Sequence, residues 1–147
     1  MKELLNARPI VPGTAEGIVI NSKETLSFWG GVDPNTGIII DRRHDLCGET
    51  ISGRVFVFPS EKGSSTASAV LVELIRNGRA PAAIITVEVS PILALGAIVA
   101  AQMYSRTIPI LMVSEDDTDE LVDGDRASIN TDGIIRIKKH QDGDALG

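Results

Sequence analysis

The sequence predicts an α/β domain of β/β/α layered architecture, and three observations carry that expectation. Hydrophobic residues make up 43% of the chain and aromatics only 3%, so the core must be built from Val, Ile, Leu and Ala. That aliphatic, β-branched bias suits strands buried beneath helices. The element order is the second observation: strand-like runs come first, then strand–helix–strand–helix–strand, then strands again. Third, the 147 residues show no linker and no internal repeat, so residues 1–147 read as one domain with sufficient core.

Gly17 to Ile20, Gly37 to Ile40 and Arg54 to Phe58 are short runs rich in Val, Ile and Phe, which predicts strands. Asp33-Pro34-Asn35-Thr36-Gly37 between the first two has the composition of a turn. From Ser65 to Asn77 the period changes, with Ala67, Val70, Leu71, Leu74 and Ile75 at helical spacing. Ser64 is the expected N-cap of that helix and Gly78 its stop. Ala82 to Val87 reads as a buried strand and Pro91 to Tyr104 as a second helix with Pro at a tolerated early position. Pro109 to Val113 is a further buried strand, and Ala127 to Asn130 with Ile134 to Ile137 a closing pair joined through Asp132-Gly133. The polar tail is expected to fray from about Lys138.

Charge narrows the function classes. Fourteen Lys and Arg against twenty Asp and Glu leave a net charge of -6, which argues against nucleic-acid binding through the overall field. Glu115, Asp116, Asp117, Asp119, Glu120, Asp123 and Asp125 crowd one stretch that reads as a solvated surface segment. The oxygen-ligand spacing of an EF-hand is missing from it. The single cysteine, Cys47, reads as a small buried filler. It forms no internal disulfide and cannot hold an iron–sulfur cluster, while His44 and His140 show no metal-ligand spacing, so no metal is expected on this chain. No apolar stretch approaches the roughly 20 residues of a membrane span, and Met1 to Ala7 does not resemble a signal peptide. A soluble, cytoplasmic protein without membrane contact is expected.

Three motifs have chemical potential. Glu61-Lys62-Gly63-Ser64-Ser65-Thr66-Ala67-Ser68 lies between a strand and a helix, where free backbone N–H groups and the helix dipole favour an anion. Ser64 there reads either as a plain cap or as a hydroxyl held where charge develops. The run is neither a P-loop nor a nucleophile elbow. Ser27-Phe28-Trp29-Gly30-Gly31-Val32-Asp33-Pro34 sets two large aromatics beside two glycines, as a core element, a pocket wall or an interface anchor. Asp41-Arg42-Arg43-His44-Asp45 is either a surface charge cluster or an anion-recognition turn with a titratable ring.

Taken together, ordered blocks of this chain resemble the small subunit of aconitase X enzymes. They are Pro12-Gly13-x-Ala15-x-Gly17, Ser27 to Pro34 with Thr36-Gly37 and Asp41, and Gly63-Ser64-Ser65 before a helix. Ala80-Pro81-Ala82-Ala83-Ile84-Ile85, Gly96-Ala97-Ile98-Val99-Ala100 and Met103-Tyr104 complete the set, which covers about Pro9 to Val113. The resemblance implies a swivelling β/β/α domain like the C-terminal domain of aconitase. It implies a heterodimer with a large catalytic subunit that holds an iron–sulfur cluster, expected to be [4Fe-4S], and it makes this chain a hydro-lyase subunit active only in that complex. It places the proton acceptor on Ser64 and substrate contacts on Lys62, Gly63, Ser65 and Thr66, with Phe28, Trp29, Gly30, Gly31, Arg43 and His44 near the cleft or interface. Two positions depart from the family pattern: Lys62-Gly63 stands where Arg-Gly is common, and His44-Asp45 where His-Pro is common.

Family members divide by substrate. Archaeal stand-alone small subunits resemble phosphomevalonate dehydratase of the mevalonate pathway of isoprenoid biosynthesis, which converts (R)-5-phosphomevalonate to trans-anhydromevalonate 5-phosphate. Bacterial relatives resemble cis-3-hydroxy-L-proline dehydratase, often with both parts in one chain. A separate Ile- and Val-rich chain fits the archaeal type, with a small phosphorylated hydroxy acid as substrate. A phosphohistidine swivel carrier shares much of the pattern, but Leu95-Gly96 occupies the place of its histidine, and Leu carries no phosphate. A non-catalytic anion-binding module is the remaining alternative.

Overall fold

The computed structural model describes residues 3–62, 65–88 and 90–140. Its centre is a parallel set of short strands: β3 (Ala15–Asn21), β4 (Val55–Phe58), β5 (Ala83–Thr86) and β6 (Ile110–Met112). Val19 pairs with Val55, Val55 with Ala83, and Ile84 with Ile110. Both β4 and β5 are buried along their whole length, as expected of parallel strands covered on two faces.

Antiparallel strands extend this set on both sides. β7 (Arg126–Ile129) joins β3, β8 (Ile134–Lys138) joins β7, and β1 (Leu4–Asn6) joins β8, while β2 (Arg8–Val11) lies against β6. The full order is β1-β8-β7-β3-β4-β5-β6-β2. Only Ala7 separates β1 from β2 although they stand at opposite ends of that order. One residue reaches a few ångströms, so the sheet must roll until its two edges meet. A register shift between Pro9 and Val11 bends β2 at this seam.

Strand alternation sorts the apolar side chains into two cores. Val19, Val55, Val57, Ala83, Ile85, Leu111, Ala127, Ile135 and Leu5 fill the rolled sheet. Ile20, Phe56, Phe58 and Ile84 point outward beneath two helices, α2 (Ala67–Arg76) and α3 (Pro91–Tyr104). Two β layers and one helical layer result, so the β/β/α expectation holds. The helices approach closely at Gly96, where an added Cβ would stand 2.8 Å from Ser68 O and 3.3 Å from Leu71 Cβ. α3 starts as its sequence predicts: Ser90 accepts the Leu93 N–H at 3.3 Å ahead of Pro91. Gly78 ends α2 with φ of 70°.

Four expectations change. Gly37 to Ile40 forms no named strand; Ile38 bridges Thr50 while Ile39 bridges Val32, so successive residues serve different partners and no ladder develops. The position before α2 is Thr66, not Ser64. Cys47 is exposed. Asp125, at the end of the acidic stretch, is buried rather than solvated, with Lys139 Nζ 3.0 Å from its Oδ2 and the His140 N–H donating to its Oδ1 at 2.8 Å. That pairing involves Lys139 and His140, the last of the described residues. Elsewhere the acidic run does lie at the surface, as the short helix α4 (Glu115–Thr118) and the turns after it.

Candidate functional site

The carboxyl ends of parallel strands are where α/β sheets present their loops to ligands, and a charged cavity opens there. Its volume is about 460 Å³ and it is lined by Glu24, Thr25, Asp41, Arg43, His44 and Lys62. Glu24 and Thr25 follow β3, Lys62 follows β4, and Asp41 to His44 come from the long excursion between those strands.

Lys62 is placed by the backbone. Leu26 and Glu61 form an isolated parallel bridge, and the Lys62 N–H donates to Leu26 O at 3.0 Å. The Glu61 carboxylate accepts the Phe28 N–H at 3.0 Å. One acidic residue thereby ties the segment leading to Gly63-Ser64 to the aromatic turn α1 (Phe28–Gly31). That turn is kinked, with Trp29 outside helical angles and Gly30 at φ of 78°, a left-handed conformation suited to glycine.

A buried polar lock holds the second wall. The His44 side chain is 2% exposed, and its Nδ1 accepts the Leu46 N–H at 3.1 Å. Asp45 Oδ1 stands 3.0 Å from the same Nδ1, Nε2 lies 3.5 Å from the Ser22 hydroxyl oxygen, and that hydroxyl donates to Asp45 Oδ1 at 2.8 Å. The Asp45 N–H donates in turn to Glu24 Oε2 at 3.1 Å. Ser22 directly follows β3, so the Asp41–Asp45 turn is fastened to the strand end. Glu24, His44 and Asp45 offer possible ligand atoms within 4.8 Å of one another. Each of those three already accepts a hydrogen bond from the protein, and the cluster reads as a lock.

Of the expected site residues, Lys62, Arg43 and His44 come together at this cavity. Ser65 and Thr66 are exposed at the entrance to α2. Gly63 and Ser64 lie outside the described residues. Phe28 does not reach a cleft: it is fully buried, its ring 6.0 Å from that of Phe58, which stacks on Phe56 at 4.4 Å. Adjacent Trp29 is 61% exposed, so the aromatic pair divides between core and surface. Gly30 is exposed and Gly31 buried against Leu26. Ser22, Glu24 and Thr25 escaped the sequence reading; their place just beyond β3, at a carboxyl strand end, is the signal that finds them.

Comparison with known proteins converges on one family. The model of the aconitase X swivel domain matches residues 4–137. The phosphomevalonate dehydratase small subunit of Methanosarcina mazei is 43% identical over 140 residues, spanning 94% of this chain and 93% of that protein. The phosphomevalonate dehydratase small subunit of Thermococcus onnurineus is 43% identical over 136 residues, with 92% and 98% covered. A cis-3-hydroxy-L-proline dehydratase of Pseudomonas aeruginosa is 48% identical over 112 residues, 76% of this chain but 19% of that protein; the chain spans about a fifth of its length. The crystal structure of Thermococcus kodakaraensis aconitase X in its holo-form superposes with a TM-score of 0.83 at 40% identity, covering 94% of this chain and 100% of that one.

Proposed function

The chain belongs to the aconitase X swivel-domain family, and from that premise we propose that it is the small subunit of a heteromeric hydro-lyase that dehydrates (R)-5-phosphomevalonate to trans-anhydromevalonate 5-phosphate. The observation that carries the substrate is length. The chain matches stand-alone phosphomevalonate dehydratase small subunits nearly end to end, over 93% and 98% of two of them. Dehydration of cis-3-hydroxy-L-proline is the second reading, favoured by the 48% identity to an enzyme of that name.

Elimination removes a proton from the carbon beside a carboxylate and a hydroxyl from the next carbon. Ser64 is the proposed proton acceptor. A serine hydroxyl is a poor base at its ordinary pKa and needs cations or free amides around it; Lys62 and Arg43, which line the carboxyl-end cavity, are the proposed sources of that charge. Lys62, Gly63, Ser65 and Thr66 are the proposed contacts around the base.

This chain does not fit an iron–sulfur cluster. Such clusters need several thiolates, whereas Cys47 is the chain's single cysteine and the Glu24, His44 and Asp45 group has no sulfur. The cluster, of [4Fe-4S] type, is therefore assigned to the large subunit. Exposed Trp29, Leu95, Ile98 and Met103 offer apolar surface that such a partner would cover. Among the described residues no helix is long and apolar enough to cross a membrane, and the proposed complex works in the cytoplasm.

The test is anaerobic reconstitution with the large subunit, offering 5-phosphomevalonate and cis-3-hydroxy-L-proline in parallel. Turnover of the phosphorylated acid that disappears in Ser64→Ala is the expected result. Turnover of hydroxyproline alone would establish the second reading, and a stable complex inert to both would sink the dehydratase assignment.

A further inference from the structure

Two groups compete for one ring nitrogen of His44. The Leu46 N–H lies 3.1 Å from Nδ1 and needs an acceptor there. Asp45 Oδ1 lies 3.0 Å from the same atom and, as a carboxylate oxygen, needs a donor. An imidazole nitrogen accepts when bare and donates when protonated, never both. The ring is 2% exposed, so water has little room to serve whichever neighbour is refused. On the other side Nε2 stands 3.5 Å from the Ser22 hydroxyl, which donates to Asp45 Oδ1 at 2.8 Å. Ser22 is buried and its proton is directed at that carboxylate, so this serine, histidine and aspartate are not arranged to attack a substrate.

The proton count of the ring therefore selects between two hydrogen-bond patterns. In the neutral ring Nδ1 accepts the Leu46 N–H, Nε2–H faces Ser22, and Asp45 is held by the Ser22 hydroxyl. In the imidazolium both nitrogens donate, Nδ1–H to Asp45 Oδ1 and Nε2–H to Ser22 Oγ, and the Leu46 N–H is left facing a donor. The backbone of His44 joins two turns. Its N–H donates to Asp41 O at 3.1 Å, closing the 41–45 turn that carries Arg43, and its carbonyl accepts the Cys47 N–H at 3.1 Å. The 46–49 turn continues from there, with the Glu49 N–H donating to Leu46 O at 2.9 Å and the Gly48 N–H to Ile39 O at 2.8 Å. We propose that His44 is a proton-operated switch between these turns. The neutral ring fastens the 46–49 turn through Leu46, and proton uptake releases that turn while clamping the ring to Asp45. The charged groups around the ring are Asp45 and Glu24 in the lock, with Asp41, Arg43 and Lys62 lining the same cavity. Histidine is the side chain whose charge ordinarily changes between about pH 5 and 8, which makes it the group here that answers to a modest change in acidity.

The inference concerns this chain alone and depends on neither the substrate nor the large subunit. Its test is an NMR titration of the full ¹⁵N-labelled chain from about pH 8.5 to 5.5, following the His44 ring nitrogens and the Leu46 amide. The two should move together with a single midpoint. Leu46 amide exchange, corrected for its intrinsic pH dependence, should quicken by roughly 3–10-fold as the ring takes its proton, the effect of losing one hydrogen bond. In His44→Asn, whose amide oxygen can accept the same N–H, the Leu46 signal should stay flat across the range. In Asp45→Asn the ring should titrate at lower pH, because the carboxylate that receives its proton is gone. The wild-type titration decides alone should either variant fail to fold. A Leu46 amide indifferent to the titrating ring would overturn the proposal, as would a ring that keeps one protonation state throughout. A Leu46 response that persists in His44→Asn would also overturn it and assign the effect to Glu24, Asp41 or Asp45. So would a midpoint in Asp45→Asn unchanged from wild type, since the clamp would then be absent.

Discussion

Two cavities of nearly equal size lie at opposite ends of the parallel strands, and their linings differ in kind. The carboxyl-end cavity of about 460 Å³ is bounded by Glu24, Asp41, Arg43, His44 and Lys62. The amino-end cavity of about 420 Å³ is bounded by Ile75, Gly78, Ala80, Pro81 and the segment Ser105 to Ile108. Its one cation, Arg106, already donates to Arg76 O at 3.0 Å. Size therefore says nothing about which end binds. What distinguishes them is the number of charged groups they gather, and the end of the sheet at which loops carry functional side chains.

The sharpest way to break the comparison is to alter one residue at each end of the reconstituted enzyme. Ser64→Ala is expected to lower turnover by about 10²–10⁴-fold, the range general-base catalysis supplies. Arg106→Ala should leave turnover within about twofold. Comparable losses from the two substitutions would erase the distinction.

A second contrast separates stability from activity. Gly96→Val drives a side chain into Ser68 and Leu71 between the helices. It should cost roughly 1–3 kcal/mol, or a fall in Tm of about 2–10 °C for a chain of this length, with the kcat of surviving complex unchanged. Calorimetry beside steady-state rates checks this.

His44→Ala should do the reverse. Removing the buried acceptor strands the Leu46 N–H, a loss of about 1–3 kcal/mol. The larger effect expected is on kcat, because the freed turn no longer holds Arg43. His44 is a positioning residue in this account, and His44→Asn, whose amide oxygen can accept the same N–H, should restore much of the rate. Equal loss in both variants would mean the ring has a role beyond the lock.

The smallest effect lies on the rolled sheet, away from both cavities. The Arg126 guanidinium hydrogen-bonded to Glu16 holds that carboxyl below its ordinary 4.5. A carboxylate lowered on folding adds stability above its unfolded pKa and surrenders it as pH falls through the folded one. Both groups are exposed, so the increment is slight. The Tm difference between wild type and Arg126→Ala should be present at pH 7 and vanish on acidification below pH 4.5. A difference that persists in acid would assign it to packing of the arginine stem instead.

Much of this molecule was legible before folding. The periodicity of Val70, Leu71, Leu74 and Ile75 marked α2, Pro91 marked the start of α3, and the Val/Ile runs marked the parallel strands. Those signals are local: side-chain spacing matches the geometry of one element, and each element buries what its own pattern presents. The Glu61-to-Ser68 turn was visible for the same reason, since it joins a strand to a helix.

The rest depended on partners far away in sequence. Phe28 and Trp29 are neighbours with like composition, yet one completes the Phe56–Phe58 stack and the other faces solvent. Asp125 looked like its acidic neighbours until Lys139 closed over it. The sequence by itself determined the two long helices, most of the central strands and the layer class, because those follow from spacing within a few residues, whereas β1 and β2 carried no such signal. Only tertiary structure brought Arg43, from a turn locked by His44 and Ser22, to the same cavity as Lys62. The physical reason is that unpaired charge belongs to an arrangement in space: whether a cation is free depends on every chain segment that could have neutralised it.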